Sequence, residues 1–327
     1  MYYSMLGTSI ITFFIAIIPT YNQIGFYAAI LFALSRALQS FFLGGEYNGG
    51  AIYCLEHEEN IKNHSIVSGI YGSATVLGVL VASIVSTIIM YFGKEYFRMA
   101  YILSIIFTIL TIFLRRSMIE TPQFIESTSN NHKDQQKTKF RLIIFLTIAL
   151  ASLLSGVLYG LPTRIFNVIL PLITNINQVD IMLINSSVLI IYMLLLLWTG
   201  YKAREEKILV TMQRASLAII FLTIPALLFL ESKTIFAVII TKLVFAFLSA
   251  SLIGPFHAWT YSISTTYNRY LQISVAYSIG KLSALIILPL SILFFEYFNS
   301  LLLSGAMLSI IALIFLILLH NNPHKTN

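Results

Sequence analysis

The sequence predicts an all-α, polytopic membrane bundle, and three observations carry that expectation. Of 327 residues, 58% are hydrophobic and only 10% charged, whereas a soluble domain carries about 25% charged residues. Mean hydropathy is +0.86. The apolar residues fall in long runs, each near the ~20 residues that a helix needs to cross a bilayer. Runs this long, continuous and closely spaced exclude membrane strands.

About ten transmembrane helices are expected, arranged as four and six. The first four cover 3–18, 24–47 with an extension to 54, 66–92 and 97–114. The remaining six cover 140–161, 181–199, 208–230, 235–257, 271–294 and 298–319. The longest polar stretch, 115–139, is rich in Ser, Thr, Asn, Gln and Lys, which is linker composition. It is read as a cytoplasmic loop joining an N-terminal half (1–114) to a C-terminal half (140–320), with a cytoplasmic tail at 321–327.

Basic residues set the orientation. Lys62, Arg115, Arg116, Lys133, Lys137, Lys139, Arg141, Lys202, Arg204, Lys207, Arg269 and Lys325 fall in one set of loops. The alternate set holds Lys94, Arg98, Arg164 and Lys233. The positive-inside rule puts the richer set, and both termini, in the cytoplasm. The opening M-Y-Y-S-M-L has no basic region, so no cleavable signal peptide is read.

The most informative stretch is R-A-L-Q-S-F-F-L-G-G-E-Y-N-G-G at 36–50. A span normally excludes charge, yet this one holds Arg36 and Glu46. At ~100° per residue, Arg36, Gln39, Leu43, Glu46, Tyr47 and Gly50 share about one third of the helix circumference. A lone charge in hydrocarbon costs roughly 3 kcal/mol or more. That face therefore looks into protein or a water-filled cavity, as a structural tie or as part of a substrate pathway. Ten residues at ~1.5 Å rise separate Arg36 and Glu46 by about 15 Å, so each needs another partner.

Other spans carry weaker signals. In 66–92, Ala74, Gly78 and Ala82 recur every four residues, with Gly72 and Ser86 nearby, which predicts a helix-packing face. At the end of 140–161, Tyr159 and Arg164 are placed at the external mouth, and Pro162 is expected to end the helix. Lys242 and Lys281 are two more charges inside spans. Ser274, Ser278 and Lys281 form a polar stripe, so Lys281 is read as functional. Lys242 stands nearer a span end, and two readings stay open: a functional charge, or a side chain that snorkels to the interface. Trp198 and Trp259 are expected to be interfacial.

Several function classes drop out. The single cysteine, Cys54, excludes a disulfide within the chain or a cysteine-rich metal site. The loop L-E-H-E-E-N-I-K-N-H mixes both charges and reads as solvated rather than metal-binding. The sequence shows no nucleophile motif and no cofactor loop. No enzyme, cofactor, metal or nucleic-acid partner is expected.

Three segments then match a known family in order and spacing. I-P-T-Y-N-Q-I-G, R-A-L-Q-S-F-F-L-G-G-E-Y-N-G-G-A-I-Y and R-R-S-M-I-E-T-P-Q-F resemble metabolite:proton symporters of the major facilitator superfamily, proline/betaine type. The family's Arg-x-x-Gln-(small) element maps onto Arg36, Gln39 and Ser40, and its Gly-Gly-Glu onto Gly44, Gly45 and Glu46. Its Glu-Thr-Pro-x-Phe maps onto Glu120, Thr121, Pro122 and Phe124. The second half is similar mainly in span pattern and in R-Y-L-Q-I-S-V-A-Y-S-I-G.

The resemblance implies secondary active, proton-coupled symport of a small polar or zwitterionic metabolite in a bacterial inner membrane. Its partners are the metabolite, a proton and the lipid bilayer. Arg36, Gln39, Glu46, Tyr47, Lys281, Lys242 and Tyr159 are the candidate pathway residues, with Glu46 the carboxylate for proton coupling. Gly44, Gly45, Gly72, Gly78, Gly200 and Arg204 are candidates for gating or helix packing. Against the family's twelve helices, the chain looks as if it starts at the third. In T-G-Y-K-A-R-E-E-K it keeps Gly200 and Arg204 of a latch motif but lacks its aspartate and second glycine. A truncated, non-transporting remnant or split-gene fragment is the alternative expectation.

Overall fold

A computed structural model describes residues 2–44, 46–93, 96–115, 121, 142–174, 176–205, 208–264 and 269–320. The architecture is all-α, with no strand among the described residues. Eight helical stretches there are long and apolar enough to cross a membrane, and two shorter apolar helices, Met5–Ile17 and Arg98–Thr111, accompany them. The chain divides into two compact units. One is Met1–His57 with Val81–Lys133; the other is Glu58–Leu80 with Asp134–Asn327.

In the first unit, α1 (Tyr2–Ile17) packs against both α3 (Phe26–Gly44) and α6 (Phe97–Arg115). The face it buries includes Thr12, Ile15 and Ala16, while Ile10, Phe13 and Ile17 stay exposed. The short α2 (Tyr21–Ile24) joins α1 to α3. Its entry is fixed by the Thr20 backbone N–H, which donates to Gln23 Oε1 at 2.9 Å. Gly25 then takes φ +58°, a left-handed turn that other residues rarely adopt. α3 ends at Gly44 and α4 (Glu46–Glu56) begins two residues later. Gly45 lies outside the described residues, as do Glu120, Pro122 and Phe124. The Arg98 guanidinium donates to the Ile18 carbonyl, tying the start of α6 to the end of α1.

The long helix α5 (His64–Phe92) contributes 64–80 to the second unit and 81–92 to the first. Within the second unit its packing face is Gly69 and Gly72. A Cβ on Gly69 would stand 2.7 Å from the Leu196 carbonyl oxygen, and one on Gly200 2.8 Å from the Gly69 Cα. Only glycine permits that crossing. The expected face at Ala74, Gly78 and Ala82 is corrected: all three are exposed, and a Cβ on Gly78 would meet nothing within 4 Å among the described residues. Spacing alone did not separate a packed stripe from a lipid-facing one.

The second unit continues with α7 (Leu142–Gly160), which packs against α11 (Ile235–Ile253), α13 (Arg269–Phe298) and α14 (Leu302–His320). At the α7–α13 crossing, a Cβ on Gly156 would come within 2.7 Å of the Ala284 Cβ. Helix α9 (Gln178–Glu205) packs on α11, and α10 (Ile208–Leu230) packs on α11 and α14. Val76, Leu80, Val188, Leu189, Tyr192, Leu196, Ala246 and Ala250 form one buried cluster of this unit.

Pro162 does not end its helix. Residues Leu161–Ile165 form a π-helical turn, and the chain runs on as α8 (Phe166–Ile173), one apolar stretch from Leu142 to Leu172. Proline lacks the N–H of a regular ladder, and a widened turn accommodates that loss. Trp259 is also corrected. It lies on α12 (Phe256–Ile263), only 2% exposed, with its ring 6.0 Å from that of Phe315. Trp198 is 48% exposed, in keeping with an interfacial side chain.

Candidate functional site

The π turn shapes the best-built polar site. Thr163 Oγ1 donates to the Tyr159 carbonyl at 2.6 Å, and Asn167 Nδ2 donates to the Thr163 carbonyl at 2.7 Å. That bond fixes the Asn167 amide, so its Oδ1 is left to accept. Lys242, on α11, donates to Asn167 Oδ1 at 2.6 Å and to Asn185 Oδ1, on α9, at 3.3 Å. Lys242 is 0% exposed, so it does not snorkel. The ammonium is held by side chains of α8 and α9.

An ammonium has three donors and needs anionic compensation when buried. Both partners of Lys242 are neutral amide oxygens. Among the described residues, they satisfy two donors and leave the charge itself uncompensated. Lys242 also lines a small cavity with Tyr159, Asn185, Tyr192, Phe245 and Ser249. Tyr192 and Ser249 share a hydroxyl hydrogen bond of 3.0 Å, and the Tyr159 and Tyr192 rings stand 5.9 Å apart. The cavity measures about 20 Å³, room for roughly one water molecule. A metabolite therefore requires a more open conformation of these helices.

Lys281 lies elsewhere in the same unit. It donates to Ser155 Oγ at 3.0 Å and stands 5.1 Å from the Tyr277 ring centre. Tyr277 neighbours Phe256, which neighbours His257, which packs edge-on against Tyr71 at 5.3 Å. Ser274, of the expected stripe, is buried. Gly200 sits at the α5 crossing, and Arg204 is exposed in the last turn of α9.

In the first unit, Arg36 is exposed and its guanidinium donates to Gln39 Oε1 at 2.7 Å. Gln39 Nε2 donates onward to Thr12 Oγ1 on α1 at 2.8 Å. Glu46 and Tyr47 open α4 and are half-buried. Thus Arg36 and Gln39 are joined in one unit, while Lys242 and Tyr159 line one cavity in the other.

Sequence reasoning missed Asn167, Asn185, Tyr192, Ser249, Ser155 and His257. A signal was present for the two amides. Asparagine inside an apolar helix marks a polar contact just as a charge does.

Long apolar helices with charged groups held among them define a polytopic integral membrane protein. A family model described as Major Facilitator Superfamily matches residues 2–240, and the chain belongs to that superfamily. Its members are transporters, not enzymes. The chain is 27% identical over 301 residues to the glycine betaine/proline/ectoine/pipecolic acid transporter OusA of Dickeya dadantii, covering 84% of this chain and 59% of that protein. It is 36% identical over 124 residues to the proline/betaine transporter of Salmonella typhimurium, covering 36% of this chain and 24% of that protein. The chain thus spans less than two thirds of these relatives. The crystal structure of the human organic anion transporter MFSD10 superimposes with a TM-score of 0.67 at 12% identity, over 97% of this chain and 76% of that one. That likeness establishes the fold.

Proposed function

We propose that the chain is a secondary active transporter: a proton-coupled symporter of a small polar or zwitterionic metabolite, of the proline/betaine or organic-acid type. The observation that carries this reading is the buried Lys242 ammonium, held by two neutral amides beside a cavity. A substrate carboxylate supplies the charge that Asn167 and Asn185 cannot, through a charge-assisted hydrogen bond. Tyr159 lines the same cavity, and Lys281 forms a second cationic station of that unit.

In the other unit, Arg36, Gln39 and Tyr47 belong to the pathway and Glu46 exchanges the proton. Gly44, Gly45, Gly72, Gly200 and Arg204 serve packing and gating. The names of the relatives support the substrate class. The distribution of basic residues supports cytoplasmic termini, and the bacterial relatives support an inner-membrane location.

Uptake into proteoliposomes with an inside-alkaline pH gradient tests the reading. Labelled proline, betaine, α-ketoglutarate and shikimate are supplied in parallel. The expected result is uptake of one of them that a protonophore abolishes. Uptake driven by a sodium gradient and indifferent to the protonophore overturns the coupling, and no uptake of any solute from folded protein overturns transport.

A further inference from the structure

The two amides that hold Lys242 are not equivalent. Asn167 is committed at both ends of its side chain. Its Nδ2 donates to the Thr163 carbonyl of the π turn at 2.7 Å, and its Oδ1 accepts from Lys242 at 2.6 Å. Asn185 is committed at one end. Its Oδ1 accepts from Lys242 at 3.3 Å, longer than a usual bond of this kind. Among the described residues, its Nδ2 donates to nothing. Asn185 and Lys242 both line the cavity, and Asn167 is not part of its wall.

This asymmetry says which partner of the lysine is exchangeable and what exchanges with it. Asn185 is only 8% exposed, so an idle amide N–H there is costly unless an occupant of the cavity uses it. The described lining of the cavity carries one cation, Lys242, and no carboxylate. A carboxylate brings two acceptor oxygens and a negative charge. It satisfies the ammonium and the Asn185 N–H together, and it neutralises the buried cation. A hydroxyl or a neutral carbonyl brings one oxygen and no charge.

We propose that Asn185 is the residue that reads the carboxylate of the transported solute; the inference rests on the transport reading given above. When α8, α9 and α11 part to admit the solute, the long Asn185–Lys242 bond yields first. One carboxylate oxygen takes its place on the ammonium, and the other accepts from Asn185 Nδ2. Asn167 keeps its bond to Lys242, because the π turn holds its amide. Selection of carboxylate-bearing over neutral solutes therefore requires a neutral amide at Asn185. An acidic side chain there supplies the anion from within and leaves no charge to recruit one.

The test is Asn185→Asp, which keeps the size of the side chain and changes its charge. It is read first as a melting temperature in detergent, without solute, in the full chain and in the full chain carrying Lys242→Met. With Lys242 in place, Asn185→Asp provides the counter-charge and the melting temperature rises by several degrees. In Lys242→Met the same change buries an unpaired carboxylate and lowers it. Uptake of proline, betaine, α-ketoglutarate and shikimate into proteoliposomes is read second. Asn185→Asp loses tenfold or more of the uptake of whichever acid the parent takes, although it is the more stable protein. Asn185→Ala removes the amide donor without adding charge, and its KM rises roughly tenfold. A melting temperature that Asn185→Asp lowers with Lys242 in place overturns the proposal. Parental uptake retained by Asn185→Asp also overturns it and leaves the transport reading standing. No uptake even by the folded parent fails that reading itself, and the proposal with it.

Discussion

Arg36 and Lys242 are both cations on apolar helices, yet the two units treat them differently. Arg36 lies on an exposed face and bonds to Gln39, three residues away on its own helix. Its further tie, through Gln39 to Thr12, runs between neutral side chains. Lys242 is wholly buried and is held by amides from two other helices, one of them fixed by a π turn. The first arrangement depends on local spacing. The second exists only when α8, α9 and α11 are assembled. Burying a charge among neutral groups costs far more than leaving one exposed, so the two positions differ in what a substitution does.

Substitutions at these positions either break that contrast or sharpen it. The largest effect belongs to Lys242→Met. Removing a buried, hydrogen-bonded charge from a binding site costs about 2 kcal/mol or more, so the KM for uptake rises roughly 30-fold. Uptake kinetics that separate KM from the maximal rate check this, and a KM within twofold of the parent dismantles the contrast.

Next comes Gly200→Leu. Its Cβ would meet the Gly69 Cα and the Ser65 carbonyl, and overpacking of that kind costs roughly 1–3 kcal/mol. A melting temperature lowered by several degrees in detergent is the expected reading. Arg36→Gln follows, with about 1 kcal/mol from one exposed hydrogen bond and hence roughly a fivefold loss of uptake. A loss as large as that of Lys242→Met would place the two units on an equal footing. The smallest effect is Gly78→Leu, where a side chain enters open space and stability stays within about 0.5 kcal/mol. A large drop in melting temperature there would restore Gly78 to a packing face.

The helices were legible with little error. The expected 208–230 is α10 to the residue, and 66–92 differs from α5 by two residues at one end. Bilayer-length apolar runs permit hardly any alternative. The polar sites were half legible. Arg36, Lys242 and Lys281 announce themselves by charge, and Gln39 by its place on the Arg36 face. Asn167 and Asn185 did not, because nothing local links them to a lysine 75 and 57 residues away. The small-residue stripe of α5 was misread, because period alone does not tell which of two faces meets a neighbour. Pro162 was misread because a π turn accommodates a proline that a regular helix rejects.

The sequence by itself determined that the chain is a bundle of membrane helices, where those helices lie, and that charges stand within them. These follow from hydropathy and length, which each segment carries alone. Only the tertiary structure decided that Lys242 sits buried on two amides, that Gly69 meets Gly200 while Gly78 meets nothing among the described residues, and that Lys202, Arg214 and Thr211 line one recess. Those facts depend on which helix faces meet across long stretches of chain, and no local physical property of the sequence specifies that.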